Sequence, residues 1–178
     1  MKKRTTMLAL LLATGAGTCL QAQEKLTQFK VRDAITVRTP IMNDSINPKG
    51  EKYADKDLLK TPVVLDLADA PFQVLSTDTA GVLSFPKVEK DHSIYLLETS
   101  LRAERFMTGK LKVTSPARWE IFINGESKMS KENAEDSISG ASTREVNLRL
   151  EPEADYEITI KLLSGSKDKA VPTLKCEL

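Results

Sequence analysis

Few residues of this chain have chemistry to offer. His92 is its one histidine, and Cys19 and Cys176 are its two cysteines. A Ser-His-Asp or Cys-His relay would have to be built around His92. That residue closes the polar stretch Glu89-Lys90-Asp91-His92 ahead of an apolar run, and is expected to be a solvated loop histidine. One histidine and one distant thiol form no zinc cluster. Cys176 alternates with Leu174 and Leu178 and reads as a small buried hydrophobe, not a nucleophile. Glu151, Glu153, Asp155 and Glu157 bunch around one turn, where carboxylate oxygens could attract calcium. Their spacing matches no calcium loop, so ordinary turn solvation is the plainer reading. Nothing nominates two acids to flank a glycosidic bond. The expectation is therefore no catalytic residue, no metal site, no cofactor and no enzyme.

Binding is the other chemistry available. Trp119 shares a phase with Ile121 and Ile123, which places it in a core. Phe122 points the other way, with Arg118 and Glu120 on its face, and Tyr53 stands in an early polar loop. Phe122, Arg118 and Tyr53 are the candidate ligand contacts. Aromatic residues are only 5% of the chain, lean for a dedicated glycan binder that stacks sugars on ring faces. A glycan or a protein is the kind of partner this leaves.

The chain opens on an address. Lys2, Lys3 and Arg4 precede the apolar stretch Met7 to Ala16, and a more polar segment with Leu20 and Ala22 follows. Positive charge, a short apolar run and small residues are the order of a secretory signal peptide. The run is too short for a bilayer core, which takes roughly 20 apolar residues. Cleavage is expected between Ala22 and Gln23, dividing the chain into a signal peptide, 1–22, and one domain, 23–178. The destination is periplasmic or extracellular. Cys19 raises lipid anchoring, but Thr18 precedes it where lipoprotein signals place a small residue, so release is favoured. Net charge is +1, and loss of the three leading positives leaves the remainder slightly acidic. No basic block suited to phosphates is present, which argues against nucleic acid. No second apolar run reaches membrane-spanning length. Cys176 would be the only thiol left, so no intramolecular disulfide can form.

The elements that must position these residues are strands. Apolar and polar residues alternate through Gln28 to Arg38, with Phe29, Val31, Ile35 and Val37 in one phase across Asp33-Ala34. Asn43 to Lys56 is a polar loop containing Asn-Pro and Gly. Short apolar runs follow at Thr61 to Leu67, Phe72 to Leu75 and Val82 to Phe85. From about residue 72 onward the pattern is clearest: Ser93 to Leu101, Arg105 to Thr114, Trp119 to Ile123, Val146 to Leu150, Tyr156 to Leu162 and Thr173 to Leu178. Asn124-Gly125 marks a type I′ hairpin turn, since both central residues need positive φ. Lys128 to Thr143 reads as a polar surface loop. About eight strands with turn signals at these spacings, and no sustained helical period, predict an all-β antiparallel sandwich.

The order of features from Ser76 to Leu163 carries a resemblance. "STDTAGVLSF" is followed by the strand "SIYLLETSL", then "GKLKVTSPARWEIFINGESK", a polar insertion, and the paired strands "REVNLRLEPEADYEITIKLL". This resembles the galactose-binding-like jelly-roll domains that accompany catalytic domains in exported bacterial glycosidases and peptidases. In those domains a strand runs into an Asn-Gly hairpin, for which this chain has Ile121 to Lys128. A later turn usually carries a glycine that Glu151 to Asp155 lacks. The resemblance covers about the last hundred residues and implies a jelly-roll sandwich. Its implied role is a non-catalytic accessory or interaction module, adjoining or associated with a secreted hydrolase. The alternative is a carbohydrate-binding module that uses loop aromatics. Fold by itself does not choose between them.

Overall fold

In the computed structural model, residues 26–32, 34–37, 46, 49–60 and 72–178 are described. The expected signal peptide with Cys19, Ala22 and Gln23, and the apolar run 61–67, lie outside the described residues. Eleven strands and one short helix make up these segments. The strands are β1 Gln28–Arg32, β2 Ile35–Val37, β3 Phe72–Ser76, β4 Val82–Ser84, β5 His92–Arg102 and β6 Met107–Thr114. After them come β7 Arg118–Ile123, β8 Glu126–Lys131, β9 Thr143–Leu150, β10 Asp155–Gly165 and β11 Thr173–Glu177; helix α1 is Asp55–Leu59.

Two antiparallel sheets face one another. The larger runs β3-β1-β5-β10-β7-β8, with β2 also on β5; the smaller runs β4-β11-β6-β9. The alternation legible in the sequence fills the space between them. Phe29, Tyr95, Leu97, Trp119, Ile121, Ile158, Ile160 and Leu162 of the larger sheet meet Leu83, Leu111, Val113, Leu148 and Leu174 of the smaller one. Period-two burial of this kind, polar out and apolar in, is what lets one strand face serve a core and the other face water. The backbone of the tallest ladder, β10 on β5, runs unbroken from Asp155–Arg102 to Gly165–His92.

Several sequence expectations are corrected. The described residues of the stretch Gln28 to Arg38 form two strands in opposite phases. Val31 pairs with Leu97 and Ile35 with Ile94, so the first strand advances four residues while β5 advances three. That offset of one residue puts the side chains of β2 in the opposite phase to those of β1. Phe29 and Val31 therefore join the main core, whereas Ile35 packs on the opposite face with Leu58, Leu59, Ile94, Leu96 and Leu163. The end of the supposed loop 43–56 starts α1, whose first turn is capped by the Asp57 carboxylate accepting the Ala54 N–H at 2.8 Å. Two leucines of this helix cover that second cluster. The supposed loop 128–143 begins with strand: Met129 pairs with Ile121 and Lys131 with Trp119.

Candidate functional site

β1 and β5 are the elements that form the site. Their ladder consists of Lys30–Glu98 and Val31–Leu97 alone. Towards Gln28 the two strands part, because β1 is drawn to other neighbours. The Leu26 N–H donates to the Cys176 carbonyl of the opposite sheet at 3.3 Å, and the Thr77 N–H to the Thr27 carbonyl at 2.9 Å. Where a main-chain ladder would have continued, the Thr99 hydroxyl reaches across to the Gln28 carbonyl at 3.0 Å. Meanwhile β5 stays paired with β10 through Arg102.

The result is a cleft of about 610 Å³ bordered by two consecutive runs, Leu26 to Lys30 and Glu98 to Ala103. Its lining has two sides. Phe29, Leu101, Ala103, Leu150 and Leu178 belong to or pack against the main core. Gln28, Lys30, Glu98, Ser100, Arg102 and Glu157 form the alternate, polar side. Two of its lining residues are exposed and apolar. Val74 and Met107, 59% and 47% exposed, line the cleft directly. Phe72 and Phe106 stand beside them in sequence, each with a cation over its ring: Lys30 at 5.3 Å and Arg149 at 5.2 Å. Arg102 on the rim is held by Glu153 at 2.6 Å.

The residues singled out from sequence lie elsewhere. Arg118 is a structural cation: it meets Asp168 at 2.9 Å and Asp55 at 2.6 Å, with only 11% of its side chain exposed. Asp55 also meets His92 Nε2 at 3.2 Å. The expected solvated loop histidine is thus the half-buried first residue of β5, tied to α1. Its ring lies against Gly165, where an added Cβ would come within 2.8 Å of His92 Cδ2. Phe122 is half-buried on the outer sheet face between Thr159 of β10 and Ser127 of β8. Tyr53 is half-buried just before α1. The structure brings neither to the cleft. Asn124 and Gly125 form the hairpin turn with φ of 50° and 77°, and the Asn124 side-chain oxygen accepts the Glu157 N–H at 2.8 Å. That turn is fastened to the strand whose Glu157 lines the cleft.

Cys176 is buried among the core side chains, and that burial pushes its thiol up to about 12. A thiol so far from ionisation is a poor nucleophile at neutral pH. Among the described residues, no three His, Cys, Asp or Glu side chains gather closely enough to hold a metal ion. No described helix is long and apolar enough to cross a membrane. The cleft itself escaped the sequence because it arises from a failure of strand pairing. The available signals were the uncharged, aromatic strand Phe72 to Ser76 and the exposed pair Phe106-Met107.

No protein-family model matches the sequence, and no curated protein matches it. Among solved structures the chain is similar to a PA14 sugar-binding domain from an RTX adhesin, at 10% identity and TM-score 0.44, covering 85% of this chain and 88% of that one. It is similar to β-glucosidase from Kluyveromyces marxianus in complex with glucose, at 14% identity and TM-score 0.45, over 62% of this chain. This chain spans 14% of that glucosidase's length. A family 35 carbohydrate binding module from Clostridium thermocellum is similar at 9% identity and TM-score 0.34, over 55% of this chain and 85% of that module. The ligands and reactions of those molecules are their own.

Proposed function

We propose that this chain is a non-catalytic, exported β-sandwich interaction module, accessory to a secreted hydrolase, whose partner engages the cleft between β1 and β5. The observation that carries the reading is the cleft: a concavity lined by core side chains on one side and polar side chains on the other, with the exposed Val74 and Met107 in its lining. Concave sites with few convergent polar groups are where ligands bind, and exposed apolar patches mark interaction surfaces. Export is supported by Lys2, Lys3 and Arg4 ahead of Met7 to Ala16. The passage of the chain from β5 through β11 between the two sheets supports a jelly-roll winding of the galactose-binding-like kind.

The rim gives a second reading its own support. Gln28, Glu98, Thr99, Ser100 and Glu157 offer amide, carboxylate and hydroxyl groups around apolar side chains, a lining that also suits a saccharide with its alternating hydroxyl and C–H surfaces. Melting of the protein against a glycan panel and a displayed peptide library tests both readings. Some member of one panel should raise the melting temperature, and Met107→Lys should remove the rise. Phe122→Ala and Tyr53→Ala, outside the cleft, should preserve it. Hydrolysis of a panel member by the chain alone would overturn the non-catalytic part.

A further inference from the structure

We infer that the outer edge of β3 pairs with the β3 of a second copy of this chain, joining two larger sheets across a two-fold axis at Val74. The inference is independent of what the cleft binds. The two sheets end on four strands, β3, β8, β4 and β9. Three of these ends carry the usual protection against edge-to-edge pairing, which is charge or shortness. β8 has Glu126 and Lys128, β9 has Arg144, Glu145 and Arg149, and β4 is three residues long. β3, Phe72-Gln73-Val74-Leu75-Ser76, has five residues and no charge. Its Phe72 and Val74 side chains are 51% and 59% exposed. Among the described residues, β1 is the one ladder partner of this strand.

The ladder with β1 fixes which main-chain groups of β3 point outward. Residues of an antiparallel ladder alternate between pairs that exchange main-chain bonds and pairs that do not. The Thr77 N–H donates to the Thr27 carbonyl at 2.9 Å, one step past the pair Gln28–Ser76. Gln73, Leu75 and Thr77 therefore bond towards β1, and the N–H and C=O groups of Phe72, Val74 and Ser76 point away from it. A sheet edge of this kind is a template for another strand. A second β3 laid antiparallel, with Val74 opposite Val74, meets all of these groups: Val74 bonds Val74, and Phe72 bonds Ser76 on either side. No like charges stand opposite one another in that register. Lys30, beside Val74 on β1 in each copy, is three strand spacings from its counterpart, about 14 Å, beyond the screening length at physiological salt. The second copy is favoured over a foreign strand because it brings the same unguarded edge, and one two-fold contact closes both edges at once. The joined sheet then ends on the charged β8 at either side.

Sedimentation velocity of the purified chain, from micromolar to millimolar concentration, tests the inference. The expected result is a monomer–dimer equilibrium. Val74→Lys and Val74→Glu should each weaken the dimer by about tenfold or more, because each sets like charges opposite one another at the axis. Mixing the two variants should restore a dimer, since unlike charges then meet at the same position. Val74 is exposed, so both variants should melt with the parent. Ser76→Pro, which removes an outward N–H and no bond to β1, should weaken the dimer as well and serves if a charged variant melts early. A chain that stays monomeric to millimolar concentration overturns the inference. A dimer indifferent to both Val74→Lys and Ser76→Pro also overturns it, since it would lie on another surface. So does a mixture of the two charged variants that stays monomeric. None of these results touches the cleft reading, which is tested by ligand-induced rises in melting temperature.

Discussion

Lys131 carries a charge into the interior, only 2% exposed, and meets oxygen there. Its ammonium donates to the carbonyls of Ser115, Pro116 and Ala117 at 2.8, 3.3 and 3.2 Å and to the Glu135 carboxylate at 2.9 Å. Burial pulls the lysine below its ordinary value, against the opposing pull of Glu135. Lys131→Met keeps the volume of the side chain but leaves these oxygens without their donor. Breaking a buried pair costs about 3–5 kcal/mol, and Glu135, with 26% of its side chain exposed, can regain water. The expected loss is about 3 kcal/mol in urea unfolding. Such a residue hides from a pattern of apolar alternation, which counts every lysine as outward. Its phase with Trp119 across the hairpin became visible only with the β7–β8 register. His92 and Arg118 were hidden for a related reason: their partner Asp55 lies far away in sequence, and nothing local announces an ion pair. Trp119 and Cys176 were legible because an apolar phase is local information.

At the scale of elements, the sequence was most informative where a strand serves one core and least where it serves two. β7 and β9 alternate cleanly and were readable with their turns, whereas β10 is buried on both faces from Ile158 on, with Leu163 in the second cluster. β1 and β2 looked like one strand because Phe29, Val31, Ile35 and Val37 share a parity that the one-residue offset against β5 then breaks. α1 has five residues, too short for any periodic signal, and its identity comes from what it covers. Leu59 is fully buried in the cluster with Leu58, Ile94, Leu96 and Leu163. Leu59→Ala should cost about 2–3 kcal/mol, the lower part of the range for a buried leucine, because a surface helix can settle into the cavity. The loss should be local. Amide exchange of residues 56–60 should quicken while the β5–β10 ladder keeps its protection, the behaviour of an element that opens independently of the core. Equal acceleration in both places would mean that α1 is part of the cooperative unit.

Over the whole molecule, titratable groups bracket the pH range in which the sandwich holds. On the acid side, burial pushes Glu135 up, but hydrogen bonds from Ser142 and Lys131 outweigh it and hold the carboxyl below its ordinary 4.5. Glu132, bonded by Lys60, and Glu145, bonded by Lys110, are lowered as well. A carboxyl lowered on folding contributes stability above its unfolded value that is lost as pH falls through its folded value. Unfolding free energy should therefore decline below about pH 4.5. On the alkaline side the signs divide. Cys176, moved from 9.0 to about 12 by burial, keeps its proton in the fold while the unfolded chain releases it, so its contribution fades as pH rises above 9.0. Tyr95, raised by burial, acts in the same direction. Lys131 and Lys161, lowered by burial, act oppositely, adding stability as pH climbs from their folded values towards 10.5. The cysteine is separable from the rest by substitution. Cys176→Ala should be less stable at neutral pH, since it removes a buried sulfur, yet lose less stability than the parent chain between pH 9 and 11. Urea unfolding of both proteins across that range should show the two curves converging. Parallel curves would mean that the thiol ionises in the folded chain as easily as in the unfolded one, and that the core around β11 admits water.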